Sequence, residues 1–203
     1  AKGQLTEAMQ FYKRSGVLWR SLGNQRFWAR ELNNVGIILS LQGKEEEALA
    51  TYQTALEAAS DNASLKGKML TNIAFSLDRL GRAGEAIPIY QEVIKLAETF
   101  QVAKDACYGW NNLAVALEKE KRFDEAREAY THALPFAYKI NETAMIGLIL
   151  ANLAELDQDY DALKEALYIL DKAGSTEIAA RFRKRLLEPA EPLLGETSDR
   201  ANR

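Results

Sequence analysis

The 203-residue sequence is poor in the residues that build most active sites. It has one cysteine, Cys107, and one histidine, His132. A single cysteine excludes an internal disulfide framework, and a single histidine leaves little from which to assemble a zinc site. No phosphate-binding glycine loop, dinucleotide glycine motif or nucleophile elbow is present. No apolar run is long enough to cross a bilayer, and no signal-peptide pattern opens the sequence, so a cytoplasmic protein without membrane contact is expected. The net charge of -3 exerts no general pull on nucleic acid. Proline (4) and glycine (12) are scarce, which leaves few helix breakers. What remains is 47% hydrophobic and 27% charged residues, the balance of a soluble globular chain. Alanine, leucine, glutamate and lysine are plentiful, and they favour helix.

The sequence repeats itself. Asn34-Val35-Gly36 is followed by Gly43, Glu47-Ala48, Tyr52 and Ala55-Leu56. The same order returns as Asn72-Ile73-Ala74, Gly81, Glu85-Ala86, Tyr90 and Val93-Ile94. It returns again as Asn112-Leu113-Ala114, Phe123, Glu125-Ala126, Tyr130 and Ala133-Leu134, and in weaker form from Asn152. The offsets between copies are 38, 40 and 40 residues. A half copy, Gly3, Glu7-Ala8 and Tyr12, opens the chain. Apolar residues within each copy recur at helical spacing, giving two helices per repeat. The small residues Gly36, Ala74, Ala114 and Ala154 mark where paired helices approach closely, and Tyr12, Tyr52, Tyr90 and Tyr130 fill the wider space. Gly43 and Gly81 suit helix ends that need a positive φ. Asn24, Asn62 and Asn141 each precede a helix and are expected to cap it.

This small-residue, Gly, Glu-Ala, Tyr, Ala-Leu pattern resembles the tetratricopeptide repeat family, with Trp110 at that family's aromatic position. The usual period is 34 residues. The longer spacing here is similar to the long-helix variants of kinesin light chains and bacterial regulator sensor domains. The resemblance implies an all-α, right-handed superhelical solenoid. It divides the chain into a half repeat over 1–28, repeats over 29–66, 67–106, 107–146 and 147–174, a capping helix over 175–187 and a flexible tail over 188–203. Lys121 replaces an expected glycine, and Asp157 to Asp161 reads as a degenerate turn. A chain that opens inside a repeat is expected to be excised from a longer protein, and the family likeness points to a bacterial signalling or regulatory one.

Such stacks use the first helix of each pair to line a concave groove for extended partners. One repeat position holds Asn34, Asn72, Asn112 and Asn152, although the whole chain has ten asparagines. An amide side chain both donates and accepts, so a row of them meets the N–H and C=O of an extended peptide. Neighbouring helices lie roughly 10 Å apart and an extended chain rises roughly 3.3 Å per residue, so each asparagine would meet about every third residue. The resemblance implies the same, since asparagines at this position contact ligand backbone in peptide-binding relatives. The same asparagines could equally bond a neighbouring helix and hold the inter-repeat angle. Helical spacing adds Asn33 and Asn111 beside the row, Arg30, Lys68 and Tyr108 one turn before it, and Phe75 and Arg79 beyond it. Arg30, Lys68 and Arg79 are expected to select charge, and Phe75 and Tyr108 to make apolar contact. The expected partner is therefore a peptide or protein segment bound without catalysis, cofactor or metal. A self-associating scaffold and a domain regulating an enzyme elsewhere in a parent chain are the alternatives. Cys107 reads as a buried apolar residue, His132 as solvent-facing and Trp110 as a packing residue. Arg181, Arg183, Lys184 and Arg185 form a basic face that lacks the interleaved aromatics of a nucleic-acid site.

Overall fold

The computed structural model describes residues 2–59 and 62–187. Among these residues the chain is all-α, with ten helices: α1 (Lys2–Ser21), α2 (Gln25–Leu41), α3 (Glu45–Ala58), α4 (Ala63–Arg79), α5 (Ala83–Thr99), α6 (Ala103–Lys119), α7 (Phe123–Lys139), α8 (Thr143–Leu156), α9 (Tyr160–Lys172) and α10 (Thr176–Leu187). They form two compact units, Ala1–Asn141 and Glu142–Arg203. In the first unit each helix packs on the next in sequence, and α2 also touches α4. The pairs α2/α3, α4/α5 and α6/α7 are the first three full repeats, and α1 is the second helix of the opening half copy.

The packing follows the repeat. Ala48, Ala86 and Ala126 are fully buried, as are Ala74 and Ala114 on the first helices. Tyr52, Tyr90 and Tyr130 are buried beside them. Alanine keeps the helices close, and one aromatic ring per repeat fills the space that closeness leaves. Pro88 and Pro135 lie inside α5 and α7. Both are exposed, so the ring of each faces water while the backbone loses one helical hydrogen bond.

The helices begin at Gln25, Ala63, Ala103 and Thr143. Each start lies one turn before the repeat boundary expected at 29, 67, 107 or 147. Caps mark two of the starts: Asn24 Oδ1 accepts from Phe27 N (3.2 Å) and Asn62 Oδ1 from Leu65 N (3.0 Å). Asn141 departs from expectation. It adopts φ +51, ending α7 in the left-handed region, and Glu142 occupies the cap position without a side-chain bond. Asparagine tolerates that conformation because its amide is small and polar. Gly43 and Gly81 adopt φ +76 and +75 as expected, and Lys121 takes the same turn at φ +60. The turn geometry is set by the packed helices, so the lysine there is strained rather than the turn altered.

In the second unit the degenerate turn is a displaced one. Helix α8 has 14 residues where α6 has 17, and α9 starts at Tyr160, with Asp159 Oδ1 accepting from Asp161 N and Ala162 N. The turn moves toward the N-terminus while Ala166 keeps its repeat position. Helix α10 closes this unit through Ala179 and Phe182, which pack with Leu163, Ala166, Leu167 and Leu170. Arg183 pairs with Asp171 and Arg185 with Glu155, so half of the basic face serves packing. The expected tail over 188–203 lies outside the described residues.

The buried tyrosines give the fold an alkaline limit. Burial pushes the Tyr52 phenol up to about 12, with Glu45 adding to the shift. Burial, with Asp78 adding, raises Tyr90 further. A phenol whose folded pKa exceeds its unfolded value of about 10 favours folding fully below pH 10. That contribution is lost as the pH climbs through the folded value. Stability is therefore expected to fall between pH 10 and about 12. A Tyr52→Phe/Tyr90→Phe variant followed by circular dichroism should lose less over that window than the wild type. Parallel loss in both would show that the phenols are not responsible.

Candidate functional site

Helices α2, α4 and α6 present one face in common, and a recess of about 360 Å³ opens there. Helix α2 contributes Asn33 and Ile37. Helix α4 contributes Gly67, Lys68, Thr71 and Asn72. Helix α6 contributes Lys104, Asp105, Tyr108, Gly109 and Asn112. Amides from three successive first helices thus border one space, beside apolar surface from Ile37 and Tyr108 and cations from Lys68 and Lys104. Lys104 Nζ lies 5.6 Å from the Tyr108 ring centroid.

The amides are not equivalent. Asn72 Nδ2 donates to Asn33 Oδ1 at 2.7 Å, a bond from one repeat to the next. In the following repeat the residue matching Asn33 is Thr71, and its hydroxyl donates to the Gly67 carbonyl of its own helix (2.9 Å). Asn112 donates no such bond to α4. Its Oδ1 accepts from Asn111 Nδ2 at 3.3 Å, and its Nδ2 has no partner among the described residues. Asn111 itself is 6% exposed, and its Oδ1 is buried without a partner there.

The other expected site residues fall in different places. Lys68 and Tyr108 line the recess. Asn34 is half-buried on α2 and is not among the lining residues. Asn152 is 9% exposed and belongs to the second unit. Arg30 is exposed, with its guanidinium 5.5 Å from the Phe27 ring. Phe75 is exposed outside the recess, with the Arg79 guanidinium 6.0 Å from its ring. Arg79 Nε lies 3.0 Å from Glu45 Oε1, so its charge already has a partner. Cys107 is fully buried and His132 is exposed, both as expected. Trp110 is half-buried, stacks on His132 with centroids 4.7 Å apart and donates to Glu98 Oε1 at 3.1 Å.

Sequence periodicity overlooks Lys104 and Asp105 because they precede the boundary at 107, in a polar first turn. Gly67 departs from the pattern of its repeat position. The equivalent positions in other repeats are Ala29, Cys107 and Gly147, all buried. A Cβ on Gly147 would meet Leu170 at 2.9 Å, whereas a Cβ on Gly67 would meet nothing within 4 Å.

These features define a helical-repeat protein with a groove built from successive first helices. Tetratricopeptide repeat models match residues 28–99 and 107–134. No curated protein matches the sequence. Several solved structures share the fold. BtubC (BKLC) from P. vanneervenii is 18% identical with a TM-score of 0.68, over 98% of each chain. Bacillus thuringiensis PlcR, solved with the peptide PapR7 and DNA, is 15% identical with a TM-score of 0.68, over 92% of this chain and 72% of that one. YrrB, described as a TPR protein with an unusual peptide-binding site, is 18% identical with a TM-score of 0.57, over 90% of this chain and 84% of that one. The protein is a tetratricopeptide-like repeat protein, similar in fold to kinesin light chain-like repeats and to RapI and PlcR.

Proposed function

We propose that this protein binds an extended peptide or protein segment, without catalysis, in the groove over α2, α4 and α6. The observation that carries this reading is the recess in which Asn33, Asn72 and Asn112 border apolar surface from Ile37 and Tyr108. A backbone needs paired donors and acceptors, and a side chain needs apolar surface; the recess offers both. Lys68, which makes no ion pair among the described residues, favours an acidic group close by. The peptide complex of PlcR and the peptide-binding site of YrrB support the reading. By the same analogy we place the protein in bacterial signalling or regulation, as a sensor or scaffold.

A peptide-display selection on the wild type tests the reading, followed by two single variants. Asn112→Ala removes a donor that no protein group uses. It should weaken selected peptides by about 3–10-fold, the worth of one hydrogen bond, and, because Asn112 Oδ1 also accepts from the buried Asn111 Nδ2 at 3.3 Å, lower stability by about 1 kcal/mol. Asn72→Ala removes the bond to Asn33 and should cost about 1 kcal/mol of stability. A folded wild type that enriches no peptide sinks the proposal, and self-association then becomes the reading to pursue by light scattering.

A further inference from the structure

Gly67 is the fifth residue of α4 and sits inside a helix, where glycine is a poor choice. Helical glycines are ordinarily explained by close packing. Gly109 fits that explanation, since a Cβ there would come within 2.9 Å of Ile94 Cγ1. Gly36 fits it too, against Tyr52. Gly67 does not, because a Cβ would enter open space. Its φ is also not in the left-handed region that would demand glycine. The fold thus has no use for this glycine, and the space it leaves open belongs to the recess.

We propose that Gly67 is a specificity-determining position: it keeps open a slot that takes one bulky apolar side chain of the bound segment, such as leucine or phenylalanine. The inference rests on the groove reading above and names what the groove selects. Ile37 from α2 and Tyr108 from α6 wall the slot, and the missing Cβ of Gly67 deepens it between them. Thr71 reinforces the arrangement. Its hydroxyl bonds to the Gly67 carbonyl, so its polar end is turned to its own helix rather than to the ligand. The free Nδ2 of Asn112 stands at the slot's border, where it can donate to a main-chain carbonyl next to the seated residue. Lys68, Lys104 and Asp105 line the same recess, and the Lys104 ammonium lies 5.6 Å from the Tyr108 ring centroid.

The signature of this arrangement is a pair of effects with opposite sign. Gly67→Ala should raise the melting temperature, by about 2–4 °C, because alanine is the better helix former and its methyl meets no neighbour. The same change should weaken selected peptides. Gly67→Leu should fill the slot and weaken them by at least about tenfold while circular dichroism shows an unchanged fold. Peptides selected on the wild type should carry one recurrent large apolar residue. Replacing that residue with alanine should weaken binding to the wild type and have little further effect on Gly67→Leu. If wild type yields peptides that Gly67→Leu, still folded, binds equally well, the slot is overturned and the groove reading stands. Selected peptides with no recurrent apolar residue overturn it too. A wild type that enriches nothing overturns both readings.

Discussion

Gly36→Val is expected to unfold the first full repeat, and Gly36→Ala to cost about 1–3 kcal/mol, the usual penalty for overpacking a filled core. A Cβ on Gly36 would lie 2.4 Å from Tyr52 Cε1, 2.7 Å from Cδ1 and 2.9 Å from Cζ. The ring cannot swing aside, since Tyr52 is 3% exposed and the neighbouring Ala48 and Ala55 are fully buried. The equivalent positions hold Ala74 and Ala114, fully buried, so a methyl is accommodated there and excluded only at Gly36. Stability in stacked repeats is approximately a sum of repeat and interface terms, so the damage should concentrate in α2 and α3. Helix α2 also carries Asn33 and Ile37, so peptide binding should fall with it. Urea unfolding checks the size of the loss. Combining Gly36→Ala with Tyr52→Leu should cost less than the two changes added, because the smaller side chain makes room for the methyl. An unchanged midpoint for Gly36→Ala would show that the helices separate without penalty.

That contact was legible in the sequence as a small residue opposite an aromatic one, because the packing of α2 on α3 involves positions that recur at a fixed offset. The repeat period likewise revealed the helix pairs, the positive-φ glycines and the amide row. It could not reveal features that depend on a single copy. Lys121 keeps the turn without the glycine, because the packed helices on either side dictate the backbone. The first turn of α6 carries polar residues outside the apolar period, so the period does not mark Lys104 and Asp105 as groove residues. Gly67 shares its repeat position with the buried Ala29 and Cys107, and the open space beside it, which no repeat pattern shows, sets it apart. The amide row looked uniform in sequence, yet Asn72 bonds to Asn33 while the threonine at the matching position of the next repeat leaves Asn112 Nδ2 unengaged. Repetition shows which positions matter; the residues that break it determine what each one does.

Arg79 illustrates the same point with a second large effect. Periodicity places it among the groove cations that would select a ligand's charge. In the structure Arg79 Nε lies 3.0 Å from Glu45 Oε1, and that carboxylate also accepts from Ser40 Oγ (2.8 Å) and Ser76 Oγ (3.1 Å). Glu45 opens α3 of one repeat, whereas Ser76 and Arg79 belong to α4 of the next. The next interface has a matching pair: Lys119 Nζ on α6 bonds to Asp78 Oδ2 on α4 at 2.6 Å. A basic residue at one repeat position therefore reaches back to an acid of the preceding repeat. Glu45 is 8% exposed, so removing its cation leaves a carboxylate that water barely reaches. Breaking a buried pair typically costs 3–5 kcal/mol; Arg79 is half in solvent, so Arg79→Ala should cost about 2–3 kcal/mol. Glu45→Ala should cost a similar amount, about 2 kcal/mol, through the hydrogen bonds lost at Ser76 and Ser40. The double variant should lose less than the sum, since each change removes the other's unsatisfied partner. Binding separates the two roles of Arg79. If it staples the repeats, the folded Arg79→Ala protein binds selected peptides with unchanged Kd and melts earlier. If it reads ligand charge, acidic peptides lose affinity while urea midpoints hold, and the staple is wrong.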